Sequence, residues 1–544
     1  MPANSRFKIA YALLIVCAAA RLLLQMAALP PYAGLDEIYH VARLAFVRAE
    51  HRNPTTTEPS IPPYLVASIA AAQGDALRRS DSQSDKRVQS DWRVRPTSSA
   101  IAMPAMGESG DRWPSIVAER GGHILDDRPL AAADVKPYVV RNYEAQQTSI
   151  YYSLTACLVP LRSAIFELRM WRLLSLLFAL ITVIATAEIG RRWIGPIGIL
   201  GGAILVSLPT WETLILRASN DAFACMLVAV AIAISVAAPR RPLIIAMEAL
   251  TWGLALNAKM YTWPLLIVLP LLWRREKAGK ARIAAVSAVS LIAIVLTFAE
   301  LSARTSTEVV QYPGGSPLGV VALAHQAGPV HEAGANVSEI VRVTIASAAW
   351  TSGQHNDALR PAAIALYLGP VIIAMIVALR RENVAPALLT LGAFALAQTY
   401  NVIVCVLAQR AGSQVPIGGK EGWYWFVLVP IVVPALLLPA LSRWRLAAWW
   451  IVAWDVVITE VALFQDFAGA SSPAHGSMLF RWGPLHLPFT AHLGGIGVGP
   501  FAAWTTLIRV AHLGAFFGLE SILQESTKTK LRLNDRNTDI AHPD

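Results

Sequence analysis

The run Ala284-Ala285-Val286-Ser287-Ala288-Val289-Ser290-Leu291-Ile292-Ala293-Ile294-Val295-Leu296-Thr297-Phe298 holds no charge, no proline and no glycine. Extended to 283–301, it has the length a helix needs to cross a hydrocarbon core of about 30 Å. Segments 176–187, 197–208 and 223–238 are the apolar centres of three more such blocks. The chain has 544 residues, 55% hydrophobic and only 15% charged, with a mean hydropathy of +0.48. A soluble domain carries roughly 25% charged residues. The fold expected is an all-α polytopic membrane protein.

Twelve candidate spans follow, near 7–29, 168–189, 195–215, 220–238, 242–258, 261–273, 283–301, 359–379, 384–408, 423–441, 446–465 and 498–519. The sixth is short, and Arg509 and His512 interrupt the last. The first reads as an uncleaved helix, because Arg21 breaks its core and no small-x-small cleavage site precedes Pro30-Pro31. Cys17, Cys157, Cys225 and Cys405 lie in or beside apolar segments without paired spacing, as buried small hydrophobes rather than a disulfide framework or zinc site.

The net charge of +10 does not mark a nucleic-acid binder. Lys and Arg gather in short loops, at Arg6/Lys8, Arg191-Arg192, Arg240-Arg241, 274–282, Arg380-Arg381, Arg443/Arg445 and the 528–536 tail. That is the pattern of loops retained in the cytoplasm. Threading the twelve spans from a cytoplasmic N-terminus puts all these clusters and the C-terminus on one side. The opposite, extracytoplasmic side receives 30–150, the turns at 217–221 and 257–262, the 302–345 loop and its 350–360 continuation, 409–422 and 466–495. The organisation expected is a transmembrane catalytic region over 1–441 that includes the 30–150 loop. C-terminal helices over 442–520 follow, with their 466–495 loop, and a cytoplasmic tail over 521–544. The 30–150 loop opens with an amphipathic stretch, 37–50, apolar at Val41, Leu44, Ala45 and Val47, suited to an interfacial helix. It closes with an aromatic stretch from Tyr151-Tyr152 to Leu161, too short to span.

Six polar groups fall on the extracytoplasmic side. Asp36-Glu37 with His40 can supply a general base, a metal-ligand pair, or only a helix cap. Ser219-Asn220-Asp221 is an N-cap or a second wall of a site. Lys259, at a helix end where the charge bias disfavours it, either snorkels or meets a phosphate. Gln147 with Tyr151 and Tyr152 is a sugar platform or ordinary interfacial aromatic chemistry. Tyr424, in Glu421-Gly422-Trp423-Tyr424-Trp425, follows Arg410 and Lys420 and belongs by default to the aromatic belt. Trp350 with Gln354, His355, Asn356 and Asp357 forms a further polar cluster.

Taken in order, these segments resemble the GT-C superfamily of membrane glycosyltransferases, which includes protein O-mannosyltransferases and aminoarabinose lipid A transferases. The resemblance runs from the first span to about residue 441. It rests on Leu35-Asp36-Glu37-Ile38-Tyr39-His40 after the first span, Gln147-Thr148-Ser149-Ile150-Tyr151-Tyr152 closing the long loop, and Arg169-Met170-Trp171-Arg172-Leu173-Leu174-Ser175 opening the next span. The Ser219-Asn220-Asp221 and Lys259-Met260-Tyr261-Thr262 turns add to it. Two positions depart from the family pattern. Thr148-Ser149 stand for a Pro-Pro, and Gly422-Trp423-Tyr424 lacks the arginine of a Gly-Arg-Tyr.

The resemblance implies inverting transfer of a sugar from a polyprenyl-phosphate donor to a glycan, lipid or protein acceptor, on the outer face of a bacterial inner membrane. It implies Asp36 as base, with Glu37 as its partner or a ligand of a divalent cation, which some relatives use and others do not. Lys259 is the first residue for the phosphate, with Arg217 and Arg410 behind it. Asn220, Asp221, Gln147, Tyr151, Tyr152, His40 and Tyr424 are expected at the substrate. Two alternatives stay open: a transporter or flippase, since Arg21, Glu188, Glu248, Asp455 and Glu460 fall in or near spans, and a polymerase or ligase of polyprenyl-linked glycans.

Overall fold

The computed structural model describes residues 3–28, 37–55, 58–65, 129–131, 135–138, 140–142, 145, 147–208, 211, 215–237, 241–267, 269–304 and 426–434, with isolated positions between 392 and 403 and between 503 and 521. The spans expected at 359–379 and 446–465, most of those at 384–408, 423–441 and 498–519, the 466–495 loop and the tail lie outside these residues. So do Asp36, Arg410 and Tyr424.

Helix α1 (Ala3–Ala28) covers the first expected span. Helix α2 (Glu37–Glu50) forms where the amphipathic pattern predicts it. Strands β1 (Pro59–Ile61) and β2 (Val140–Arg141) then pair antiparallel, a departure from the all-α expectation. This short ribbon ties the beginning of the 30–150 segment to its end. Helix α3 (Ile150–Thr155) is the aromatic stretch, at six residues too short to span.

Helix α4 (Ala164–Ile194) starts at Ser163, whose side chain accepts from the Phe166 N–H at 3.2 Å, and stops at Gly195 with φ +83° ahead of Pro196. Both are strong local signals, a side-chain cap and a left-handed glycine. The span expected over 195–215 is not one helix. A 3-10 turn at Pro196–Ile199 leads into α5 (Leu200–Ser207), which ends as Leu208 takes ψ 112° before Pro209. A residue preceding proline is pushed out of the helical region.

Helices α6 (Asn220–Val236) and α7 (Pro242–Ala258) match their expected spans. The sixth span splits into a 3-10 segment, Met260–Ile267, and α8 (Leu269–Arg275). Pro264 inside the 3-10 segment removes a donor that a regular helix needs. Helix α9 (Lys280–Arg304) carries the run that opened the sequence, and α10 (Val429–Val432) is a single late turn.

Helix α6 lies between α4 and α7, α7 packs on α9, and α1 packs on α4 and α5. At the α7–α9 contact a Cβ on Gly253 would stand 2.8 Å from Val289 Cγ1, so glycine sets how closely these helices approach. Two described helices, Ala164–Trp193 and Lys280–Arg304, are long and apolar enough to cross a membrane. On α9, Leu291, Ile292, Val295 and Leu296 are each more than half exposed. In water each would forgo about 2 kcal/mol of burial. A hydrocarbon surrounding removes that cost.

Helix α2 is packed on more than its apolar face. Val41, Leu44, Ala45 and Val47 are buried as expected, but His40 and Arg43 are buried too, because β1 and α3 cover the helix. Below the site, Arg282 Nε and Nη2 clasp Glu248 at 2.7 and 2.8 Å, and the Ser235 hydroxyl donates to the same carboxylate at 2.6 Å. That buried pair joins α6, α7 and α9. It accounts for Glu248 as structure.

Candidate functional site

The site grows from the ends of four helices. Helix α2 starts with Glu37, whose carboxylate is fully buried. Arg172, two turns into α4, donates to it from Nε at 2.9 Å and from Nη2 at 2.7 Å, and the Ala218 N–H adds a third bond at 3.1 Å. Bidentate guanidinium–carboxylate geometry is the strong form of such a pair. Burial works against the Glu37 charge, but Arg172 through its charge and hydrogen bonds, Ala218, and the charge of Arg217 outweigh it and hold the carboxyl below its ordinary range. Glu37 was expected as partner of Asp36 or as a metal ligand; its oxygens are instead committed to protein donors. Among the described residues no three His, Cys, Asp or Glu side chains gather as a metal site.

One turn along α2, His40 Nδ1 lies 2.6 Å from the Tyr152 hydroxyl, and the Arg43 guanidinium sits 3.8 Å over the Tyr152 ring. Burial drives the His40 pKa down to about 3, with Asp221 opposing and Lys259 and Arg43 reinforcing. His40 is a neutral imidazole at physiological pH. Tyr151 meets Tyr152 edge-on at 5.0 Å and Phe223 at 5.7 Å, and both tyrosines have no exposed surface.

Helix α6 begins at the other wall. Ser219 is its N-cap, accepting from the Asp221 N–H at 3.3 Å. Asn220 donates to Gln147 Oε1 at 2.5 Å, and its own Oδ1 is buried with no hydrogen-bond partner among the described residues. Asp221 forms an ion pair with Lys259, the first residue beyond α7. The Lys259 backbone is fixed by Thr262, whose hydroxyl lies 2.7 Å from the Lys259 carbonyl and 2.9 Å from that of Ala255. Arg217 is buried beside the Glu37 clamp, and its carbonyl accepts from Ser175 at 2.6 Å.

No family model matches the chain, and neither does any curated protein. A crystal structure of ArnT from Cupriavidus metallidurans bound to undecaprenyl phosphate is similar at 15% identity and a TM-score of 0.35, over 71% of this chain and 69% of that one.

The structure thus gathers His40, Gln147, Tyr152, Asn220, Asp221 and Lys259 at one end of the bundle, with Glu37 and Arg217 beside them through Ala218. It also adds groups that were not expected. Arg43 and Arg304 both donate to the Gln147 carbonyl, at 3.0 and 2.7 Å, and Arg304 also holds Ala145 O at 2.8 Å and pairs with Glu300. Thr148 donates to Ala258 O at 2.8 Å, tying the end of the long loop to the end of α7. Arg304 carried a usable signal, being a basic residue at a helix end on the same side as Lys259. Arg43 carried one too, three residues from His40 on a helix.

Proposed function

We propose that this chain is a membrane glycosyltransferase that moves a sugar from a polyprenyl-phosphate donor to an acceptor hydroxyl on the extracytoplasmic face, with inversion. The observation that carries the reading is the convergence of two buried ion pairs, Glu37–Arg172 and Asp221–Lys259, at one end of a helix bundle with apolar outer faces. Buried pairs are costly to assemble and give little net stability over apolar packing. A site that binds a charged lipid headgroup gives them a purpose.

In this mechanism the acceptor oxygen attacks the anomeric carbon while the bond from that carbon to the phosphate oxygen breaks. The hydroxyl proton passes to Asp36, and the polyprenyl phosphate departs with the electron pair, its charge met by Lys259. Glu37 is committed to Arg172, so the base role falls on its neighbour Asp36, and Glu37 serves to fix the chain there. Arg217 and Arg410 are secondary phosphate contacts. Asn220 Oδ1, a buried acceptor without a donor among the described residues, suits a sugar hydroxyl. Gln147, with its carbonyl held by two arginines, presents its amide to the same region. His40 lines the site as a neutral hydrogen-bonding group; a cation there would compete with Lys259. Tyr151 and Tyr152 support the wall, and Tyr424 is assigned to the sugar side on the resemblance alone. The transporter alternative drew on charges within spans; of the described ones, Glu248 and Glu188 are engaged by Arg282 and by Arg191 and Arg192, and Arg21 is buried in α1.

The test is sugar transfer in membranes bearing native chain or Asp36→Asn at matched expression, with a labelled polyprenyl-phosphate sugar pool. Native membranes consume the donor, and the variant loses at least a hundredfold in rate, the range of general-base catalysis. Undiminished turnover by Asp36→Asn would remove the base. Redistribution of intact donor between leaflets without turnover would favour transport instead.

A further inference from the structure

Lys259, the residue proposed for the phosphate, is paired with Asp221 in the structure, and this raises a question of order. Lys259 is held from its backbone by Thr262, and its side chain is 7% exposed; that of Asp221 is 16% exposed, on the first turn of α6. The carboxylate is the more exposed member of the pair. Resting on the phosphate role of Lys259, we propose that Asp221 is a resident counter-ion: it yields Lys259 to the donor phosphate and returns to it to drive the product phosphate out.

Charge arithmetic gives the device its direction. The donor is a phosphodiester with one negative charge. The product is a monoester that carries between one and two at neutral pH, its second ionisation lying near pH 6. A buried lysine alone would hold the product harder than the donor, and release would stall. A carboxylate that remains beside the site repels the more highly charged species more. It also neutralises Lys259 when the site is empty, which a buried cation requires. The N–H groups at the start of α6 tolerate the aspartate in either position, because a negative charge is favourable on a first helical turn.

The experiment is binding of farnesyl phosphate, a short-chain monoester, to purified full-length chain in detergent at pH 7.5. Native protein, Asp221→Asn, Asp221→Glu and Lys259→Ala are compared per folded molecule. Asp221→Asn is expected to bind the probe at least tenfold tighter than native. Asp221→Glu, which keeps the charge, should stay within about threefold of native. In turnover Asp221→Asn should lower kcat and KM together and become more sensitive to inhibition by added farnesyl phosphate. Should Asp221→Asn fail to fold, Asp221→Ser takes its place with the same expectation. If the neutral variant binds no tighter while Lys259→Ala loses the probe, the counter-ion role is wrong and the phosphate reading stands. If Lys259→Ala binds as well as native, the phosphate reading falls, and this inference with it.

Discussion

A buried histidine and a buried glutamate sit one turn apart on α2, and both weaken folding on acidification, over different pH windows. His40 titrates at about 3 in the folded chain against an ordinary 6.5. Between those values the unfolded chain takes up a proton that the folded one refuses. Folding is therefore weakened as pH falls below 6.5, by at most about 1.4 kcal/mol per pH unit for one proton. Glu37 is depressed from 4.5, so its contribution is intact above that pH and is lost only as pH drops through its lower folded value. The two windows do not overlap between pH 6.5 and 5. Replacing His40 by Gln, which retains a hydrogen-bonding group for Tyr152, should flatten the pH dependence of unfolding in that interval and leave the loss below pH 4.5 in place. Denaturant unfolding of the detergent-solubilised chain at pH 7, 6 and 5 reads this directly. An equal slope in both chains would mean that His40 protonates in the folded state. Neither residue showed its partner in the sequence: Glu37 and Arg172 are 135 positions apart, and the Tyr152 hydroxyl is 112 positions from His40.

At the scale of elements, apolar runs bounded by caps were readable, and runs interrupted from within were not. Ser163, Ser219, Pro242 and Gly195 sit where local chemistry starts or stops a helix; α6 and α7 follow the expected limits, while α4 starts before and ends after the 168–189 expected for it. The segments over 195–215 and 261–273 had span-like hydropathy but break at Leu208 and around Pro264, since hydropathy does not register a proline's missing donor. The β1–β2 ribbon was invisible because two and three residues of strand carry no period. Helix contacts are equally silent in composition, and Gly253 is a case where one atom matters. Gly253→Ala would drive a methyl into Val289, and we expect about 1–3 kcal/mol of destabilisation from overpacking. Val289→Ala opens the same space. The double variant should therefore be less destabilised than the sum of the singles, a coupling that thermal unfolding of all four chains measures. Strict additivity would show that α7 and α9 do not meet at this point.

The whole molecule has two ends of different chemistry, and its function depends on which faces out. Every proposed site residue that is described lies where α6 begins and where α7 and α9 end, while the Arg274 to Arg282 cluster lies in and beside the turn joining α8 to α9, at the opposite end of α9. Basic loops stay in the cytoplasm, so the site end should face outward. The sequence carried this argument in its charge distribution, although it could not show that α2, the ribbon and α3 close over that end. The orientation is open to direct test at two water-exposed lysines. Lys136 follows the 30–150 segment's midpoint, with its side chain 56% exposed in an ion pair with Glu50, and Lys280 opens α9 and is exposed. In a chain freed of its four cysteines, Lys136→Cys should react with a membrane-impermeant maleimide in intact cells. Lys280→Cys should react only once the membrane is opened or inverted. The loss of one rim ion pair changes stability by less than about 1 kcal/mol, so neither variant disturbs the fold it reports on. The reverse labelling would turn the site toward the cytoplasm, where the acceptor and donor assigned to it do not meet, and would remove the extracytoplasmic transfer proposed above. Labelling of both from one side would instead require an odd number of crossings between residues 136 and 280 to be replaced by an even one, and the α4–α9 bundle to be threaded anew.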